Sequence, residues 1–328
     1  MNFLTKNIRI ISILVFAAIV VFTFLLTNSP RNTERTLFVF DTVADISISG
    51  KNSDVAADEI ASALSGMEKT YSKYQSSGIS AFNSLSPGET MSVTVEMADL
   101  IGRCLKISKS TDGAFDITLS ALSDLWDVKN ASTPPQDDDI LPALEKTGYN
   151  KLKLNGNTLT KTEVSVDFGG VLKGFAADKV REITSTYGIK SGIVNLGGNV
   201  CLIGSKNGKP WTIGIVNPFS PGEIYLTVDA QNTNIITSGG YQRYFEHEGK
   251  VYHHILSPKT GYPTDSDVAS ATVISPDGTL ADALSTAIFA VGSEKGMEIA
   301  GAHNVDAIII KKDGGVIATE GVNYKLQN

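Results

Sequence analysis

The sequence predicts a mixed α/β protein of the α+β type, built on a largely antiparallel sheet. Two observations carry that reading. Stretches that alternate apolar and polar residues are interspersed with stretches of helical period, without the strict alternation of elements that a parallel βαβ sheet requires. The short runs flanking Asn155-Gly156 read as a hairpin, a connection available only to antiparallel strands. Composition agrees with a folded body: of 328 residues, 42% are hydrophobic and 19% charged.

The chain opens on an apolar run. Residues 10–26, IISILVFAAIVVFTFLL, are seventeen residues without a charge. As a helix they span about 25 Å, the short end of what crosses a bilayer core of roughly 30 Å. The run is longer than the usual core of a cleaved signal peptide, no A-x-A site follows, and no cysteine offers a lipid attachment point. The expectation is an uncleaved signal anchor over residues 1–28, with a cleaved signal peptide as the alternative. A single pass through the cell membrane would leave the catalytic body on the extracytoplasmic side. That orientation rests on likeness to a signal sequence, since Lys6 and Arg9 precede the run but Arg31 and Arg35 follow it. Residues 29–36 read as a polar linker, and residues 37–328 as the folded domain. Net charge is −7; the first 35 residues carry +3, so the remainder carries −10. An acidic body argues against nucleic acid and anionic lipid surfaces as partners and leaves room for divalent cations.

Further elements follow in order. Residues 37–49 alternate and read as one strand; 55–71 have helical spacing; 93–111 form a second helix with Ser92 as its cap. Residues 130–139, rich in Pro and Asp, read as a surface loop, and 151–161 as the hairpin turning on Asn155-Gly156. A β-branched strand ends at Asp167, and a helix runs from Lys173 to about Tyr187. Strands then dominate, with a helix over 279–291 and a late strand over 305–310. Cys104 and Cys201 lie among apolar neighbours with no zinc-type spacing; they read as two buried thiols, with a disulfide as the alternative.

Four motifs bear on chemistry. In VSVDFGGVLKGFAADKV, strand, glycines, lysine and helix follow in the order that cradles phosphate, though the spacing fits neither a P-loop nor GxGxxG. The segment is either such a cradle or a plain strand–turn–helix connection. Glycine pairs end three β-rich segments, at Gly169-Gly170, Gly197-Gly198 and Gly239-Gly240. They are tight turns, or strand ends converging on a ligand that needs close backbone approach. In TLADALSTAIF, Asp282 and Thr286 are four apart on one helix face and suit Mg²⁺ beside phosphate oxygens, or serve only the helix start. In YHHILSPKTGYP, His253 and His254 are adjacent, so on a strand only one faces a given pocket; it is a general base or a structural histidine. TDGAFDITLSAL places Phe115 and Asp116 after a turn, where an aromatic side chain can stack on a flat ring. No GxSxG or HExxH is present.

Together these motifs resemble the ApbE family, the FAD:protein FMN transferases. YSKYQSSGISAFN, DGAFDITLSAL, VDFGGVLKGFAADKV, VNLGGNV, WTIGIVNP, TSGGYQRYFEHEGKVYHHILSPKTGYP and ADALSTAIFAVG occur in the family's order. The resemblance implies an ApbE-like, T-fold-like body and Mg²⁺-dependent cleavage of FAD, with FMN passed to a Thr or Ser hydroxyl and AMP released. The acceptor would be an exported electron-transfer protein with an FMN-binding domain. An FAD pyrophosphatase and a non-enzymatic FAD-binding or scavenging protein are the alternatives. Carried over by motif, Asp167 and Lys173 contact FAD, and Tyr74, Ala114, Phe115 and Asp116 line its flavin or adenine end. Gly170 (through its carbonyl), Asp282 and Thr286 hold the metal. His254, with Ile255 beside it, lies near the reacting phosphate as the base. The sequence departs from the family at Phe40, where many relatives place a methionine against the flavin. It departs again at Gly78-Ile79-Ser80, which lacks the acid often found before the serine of that loop, at Ser257 in place of an aspartate, and at Thr279, where a further metal ligand can stand.

Overall fold

The computed structural model describes residues 31–327. The expected anchor, residues 10–26, lies outside them. Among the described residues no helix is long and apolar enough to cross a membrane.

Strands β1 (Arg31–Val39) and β2 (Thr42–Gly50) pair as a hairpin. Residues 31–36, expected as linker, are therefore strand: Thr33 is buried and its hydroxyl bonds Ser53 (2.7 Å) and Asp54 (2.9 Å). The single strand expected over 37–49 is broken at Phe40-Asp41, whose φ values of 55° and 59° make a two-residue turn with the twist a hairpin needs. Neither residue is the Gly or Asn that usually announces such a turn. For Phe40 the left-handed conformation costs about 1–2 kcal/mol; its N–H donates to Glu68 Oε1 (2.8 Å), which holds it there.

Helix α1 (Ser53–Tyr71) buries Ala56, Ile60, Leu64, Met67 and Tyr71, a stripe at three- and four-residue spacing. After α2 (Ile79–Asn83) and β3 (Thr90–Ser92) comes α3 (Val95–Ser110). Its cap is Thr94, whose hydroxyl accepts the Met97 N–H (3.1 Å); Ser92 is instead the last residue of β3. Helices α4 (Ser120–Trp126) and α5 (Asp137–Glu145) follow. The acidic stretch read as loop thus already begins α5, whose first turn carries Asp137, Asp138 and Asp139 where the helix dipole favours them. Strands β4 (Lys153–Asn155) and β5 (Thr158–Thr160) form the expected hairpin, and β3 adds to β5. Residues 164–167 form no named strand; they meet residues 117–119 through a bridge between Leu119 and Ser165 and the Asp167 N–H on the Ile117 carbonyl (2.8 Å). Asn83 holds them from outside, donating to the Val166 carbonyl and accepting the Val166 N–H, both at 2.8 Å.

The rest of the chain supplies α6 (Leu172–Thr186), β6 (Ser191–Leu196), β7 (Asn199–Gly204), β8 (Trp211–Val216), β9 (Ile224–Ala230), β10 (Asn234–Gly239), β11 (Tyr244–His247), β12 (Lys250–His253), β13 (Val268–Ser275), α7 (Gly278–Val291), α8 (Ser293–Ala302), β14 (Asp306–Lys311), β15 (Val316–Ala318) and β16 (Tyr324–Leu326). The main sheet has eight strands in the order β1-β2-β6-β7-β10-β13-β14-β15, all antiparallel. Its strands feed two cores. Val194, Ile236 and Ile309 face the large core with α1, α6 and α7, while Leu202, Ile235 and Ile308 face a smaller core closed by β8, β9 and β16. A third cluster, Leu122, Trp126, Ile140, Phe245 and Leu256, ties α4 and α5 to the β11–β12 hairpin, and the Trp126 indole N–H donates to the Gly261 carbonyl (2.7 Å). Cys104 and Cys201 are buried free thiols.

Helices α6 and α7 meet through two glycines. A Cβ on Gly174 would lie 2.1 Å from the Gly278 carbonyl oxygen, and one on Gly278 would lie 2.4 Å from the Gly174 oxygen. Gly174→Ala is expected to force the helices apart and cost about 3 kcal/mol. Gly66→Ala, in α1 with nothing within 4 Å of the new methyl, is expected to be neutral or stabilising by about 0.5–1 kcal/mol. Urea denaturation of the two variants checks both values.

Candidate active site

The site begins at this crossing. Because the helices touch at glycine, the Gly174 N–H at the start of α6 donates to Asp282 Oδ2 (2.8 Å), and Asn199, first residue of β7, donates to Asp282 Oδ1 (3.1 Å). Burial holds the Asp282 carboxyl above the usual range, against the opposing pull of Lys173 and these two donors. One turn on, the Thr286 hydroxyl lies 3.2 Å from the Asp282 carbonyl and 3.3 Å from Ser238 Oγ at the end of β10. A Cβ on Gly170 would be 3.6 Å from both Thr286 Oγ1 and the ring of Phe115. All three glycine pairs therefore end beside α7: Gly170 against Thr286, Gly198 before Asn199, Gly239 after Ser238.

These donors fit a small, oxygen-seeking divalent cation. One carboxylate, one hydroxyl and the Gly170 carbonyl are hard oxygens, few enough to leave room for phosphate and water. Asn199 Oδ1 is buried without a hydrogen-bond partner and adds an unclaimed oxygen beside Asp282. Among the described residues no group of three or more His, Cys, Asp or Glu is placed to hold a metal. Thr279 does not join the set. Its hydroxyl (2.6 Å) and N–H (3.0 Å) donate to Asp178, which also accepts the Gly278 N–H (2.6 Å) and so caps α7.

Opposite Asp282 stand cationic groups. Lys173, half-buried on α6, makes no ion pair or hydrogen bond with any described residue. Burial lowers its pKa, Asp282 opposes that and Arg243 adds to it. His254 follows β12. The Arg243 carbonyl accepts both its backbone N–H (3.1 Å) and Nδ1 (3.2 Å). A carbonyl only accepts, so Nδ1 carries the proton and Nε2 keeps its lone pair. Burial, with Arg243, His253 and Lys173 as positive neighbours, pushes the His254 pKa down to about 4 in spite of the Arg243 carbonyl. His253 turns the other way: Nε2 bonds the Thr264 carbonyl (3.0 Å), and the ring sits edge-on to Phe289 in a separate cleft of about 590 Å³. The two adjacent rings thus diverge, one to the Thr264 carbonyl and the other to the Arg243 carbonyl.

The other residues that the resemblance implies are spread over several segments. Phe115 is buried behind Gly170. Asp116 is buried too, and its carboxylate accepts from the Thr118 N–H and hydroxyl (both 2.7 Å) and the Tyr149 N–H (2.8 Å). It braces the loop carrying Ala114 and Phe115, its carboxylate directed into the chain. Tyr74 is 81% exposed. Asp167 accepts from the Gly169 N–H (2.8 Å), Ser123 (2.8 Å) and Lys73 (3.1 Å). Burial raises its pKa, but Lys73 and these donors outweigh it and hold the carboxyl below the usual range. Phe40, at the β1–β2 turn, adjoins Asp41, which pairs with Arg243 (3.3 Å) and Lys129 (2.6 Å). Ile255 is buried, its carbonyl accepting the Thr264 N–H (2.9 Å). Ser257, standing for an aspartate, keeps a turn role by accepting the Lys259 and Thr260 N–H groups (both 3.2 Å).

Four residues of the site went unread in the sequence: Lys73, Ser123, Asn199 and Arg243. Lys73, Asn199 and Arg243 lie inside quoted motifs, YSKYQSSGISAFN, VNLGGNV and TSGGYQRYFEHEGKVYHHILSPKTGYP, and Ser123 just after DGAFDITLSAL; nothing local marked Lys73 or Ser123 as partners of Asp167.

Asp178→Ala removes the acceptor for the first two amides of α7. It is expected to cost about 1–2 kcal/mol, measurable in the same urea titration, with the Arg103–Asp277 pair (2.6 Å) left in place.

Known proteins share this architecture. The model of the ApbE family matches residues 40–309. An FAD:protein FMN transferase of Haemophilus influenzae is 31% identical over 288 residues, 83% of each chain. The crystal structure of the ApbE protein of Thermotoga maritima superposes with a TM-score of 0.82 at 31% identity, over 88% of this chain and 97% of that one. The flavin transferase ApbE of Vibrio cholerae gives a TM-score of 0.79 at 27% identity, over 88% and 97%. With a family model spanning most of its length and these relatives covering four-fifths of it, the chain belongs to the ApbE family.

Proposed function

We propose that this chain is an FAD:protein FMN transferase that moves FMN from FAD to a Thr or Ser hydroxyl of an acceptor flavoprotein and releases AMP. The activity follows from the consistent names of its relatives. The observation that carries the chemistry is Lys173, a cation with no hydrogen-bond or ion-pair partner among the described residues, set against Asp282 and beside a neutral His254. A half-buried ammonium whose nearest counter-charge, Asp282, is not in contact with it is costly, and the diphosphate of FAD would supply that contact.

In the reaction, Lys173 holds the diphosphate and neutralises charge that builds on it. His254 Nε2 accepts the proton of the acceptor hydroxyl as its oxygen bonds the FMN phosphorus. The bond from that phosphorus to the AMP oxygen breaks, and AMP leaves. Asp282, Thr286, the Gly170 carbonyl and Asn199 would hold Mg²⁺, whose chemistry there is to draw electron density from the phosphate oxygens. Asp167, Tyr74, Phe115, Ile255 and Phe40 orient the nucleotide. We further infer that residues 10–26 anchor the enzyme in the cell membrane with its catalytic domain outside. The support is their length and lack of charge, and protease shaving of intact cells tests it.

Full-length protein incubated with FAD and Mg²⁺, with and without an acceptor domain, decides the activity. Covalent flavin on the acceptor is expected. Free FMN and AMP alone would make it a pyrophosphatase, and unchanged FAD a binding protein. Chelation by EDTA is expected to abolish transfer, with Mg²⁺ restoring it. His254→Ala is expected to lower the rate by about 10²–10⁴; transfer at the wild-type rate refutes the base. The active form is neutral, so with a pKa of about 4 the acid limb of kcat/KM should fall near pH 4. A limb near 6.5, the ordinary histidine value, would mean that His254 is not buried as described.

A further inference from the structure

We propose that Lys73 is a positioning residue for FAD, holding Asp167 as a fixed acceptor for one N–H or O–H of the nucleotide. The proposal rests on the transferase reading above.

Lys73 follows α1 and its side chain is only 4% exposed. Its ammonium reaches Ser123 Oγ (2.5 Å), Asp124 Oδ1 (2.6 Å) and Asp167 Oδ2 (3.1 Å). An ammonium has three N–H donors; two are spent in hydrogen bonds and the third side of the group faces Asp167 as an ion pair. Lys73 therefore has nothing left to offer a ligand directly, and whatever it does for one it does through its neighbours. This separates it from Lys173, which has no contact partner among the described residues and is available to meet an anion.

The effect on Asp167 can be counted. A carboxylate offers about four lone-pair sites. Oδ2 takes Lys73 and Ser123 (2.8 Å), and Oδ1 takes the Gly169 N–H (2.8 Å). One site remains, on Oδ1, in a side chain that is 23% exposed, and we place the ligand's donor there. With Lys73 paired to it, Asp167 presents a single hydrogen-bond acceptor of set direction, its charge partly offset by an ammonium it shares with Asp124. Such a group selects a neutral donor and repels the anionic diphosphate farther along the same ligand less than a bare carboxylate would. The Lys73 ammonium also lies 5.1 Å from the ring centroid of Tyr74, so one side chain orients both the acceptor and an exposed aromatic face.

The metal end does not depend on this contact. Gly170 packs against Phe115 and Thr286, and the turn after it is closed by the Val171 (2.9 Å) and Leu172 (2.8 Å) N–H groups on the Phe168 carbonyl. Loss of Lys73 should loosen the carboxylate and leave the reacting phosphate in place. It also leaves Asp124 and Asp167 side by side without a cation, so that they repel each other.

The test is FAD affinity by calorimetry and steady-state FMN transfer by the full-length protein. Lys73→Met is expected to raise Kd and KM for FAD by about tenfold or more, with kcat changed less than about threefold. Lys73→Arg, which keeps a cation able to pair with both carboxylates, should recover most of the affinity. Ser123→Ala, a smaller change that leaves the ion pairs, should weaken FAD binding by about threefold and keeps the question open to measurement if Lys73→Met does not fold. Wild-type FAD affinity in folded Lys73→Met or Ser123→Ala, or a fall in kcat at unchanged KM, would overturn the proposal. Because affinity is read without turnover, a chain that binds FAD but transfers no FMN refutes the activity and not the role of Lys73.

Discussion

The contact between Gly174 and Gly278 is the constraint on which the site depends. Only where neither residue has a side chain can α6 and α7 approach closely enough for a backbone amide of one to reach a carboxylate of the other. That approach buries Asp282, gives its carboxylate a donor from the α6 N-terminus, and sets Lys173, one residue before Gly174, on the same side. It also brings Asp178 of α6 under the first amides of α7. The helices cannot slide relative to each other without breaking both sets of bonds. Gly170 and Thr286, a turn away on either side, inherit that register.

Charge at the site follows one rule with one exception. Asp167 is partly compensated by Lys73, Asp178 by Arg103 at 3.6 Å, and Asp282 by amide donors and the nearby Lys173. Burial keeps His254 uncharged. Lys173 alone among these has no contact partner, and a cation left in that state favours binding of an anion over any rearrangement of a close-packed core. The negative charge of the body as a whole makes this local reversal a matter of a few side chains, not of a broad basic surface.

Much of the fold was legible in the sequence because its signals are local. The 155–156 hairpin, the spacing of α1 and the glycine-bounded start of α6 each depend on residues a few positions apart. The errors have local causes as well. The turn at Phe40-Asp41 lacks Gly and Asn and is held by Glu68 from another element, so the hairpin read as one strand. Thr94 and Ser92 are both good caps, and strand pairing with β5 decided between them. Residues 164–167 had strand composition but are held by the side chain of Asn83 and by residues 117–119, which form no named strand.

The candidate site divides in the same way. Residue types and short spacings by themselves determined Asp282 with Thr286 on one helix face, Lys173 at a helix start, and two histidines that must diverge. Resemblance in the order of motifs joined them into a family. Only the tertiary structure decided that Asp116 spends its carboxylate on its own loop, that Asn199 brings an unpaired oxygen to Asp282, and that the Arg243 carbonyl selects the His254 tautomer. It alone decided that Asp167 is held by Lys73. The physical reason is that pairing and burial depend on distance in space: Lys73 and Asp167, or Asn199 and Asp282, are far apart along the chain, and no local pattern records which donor will meet which acceptor once the core has closed.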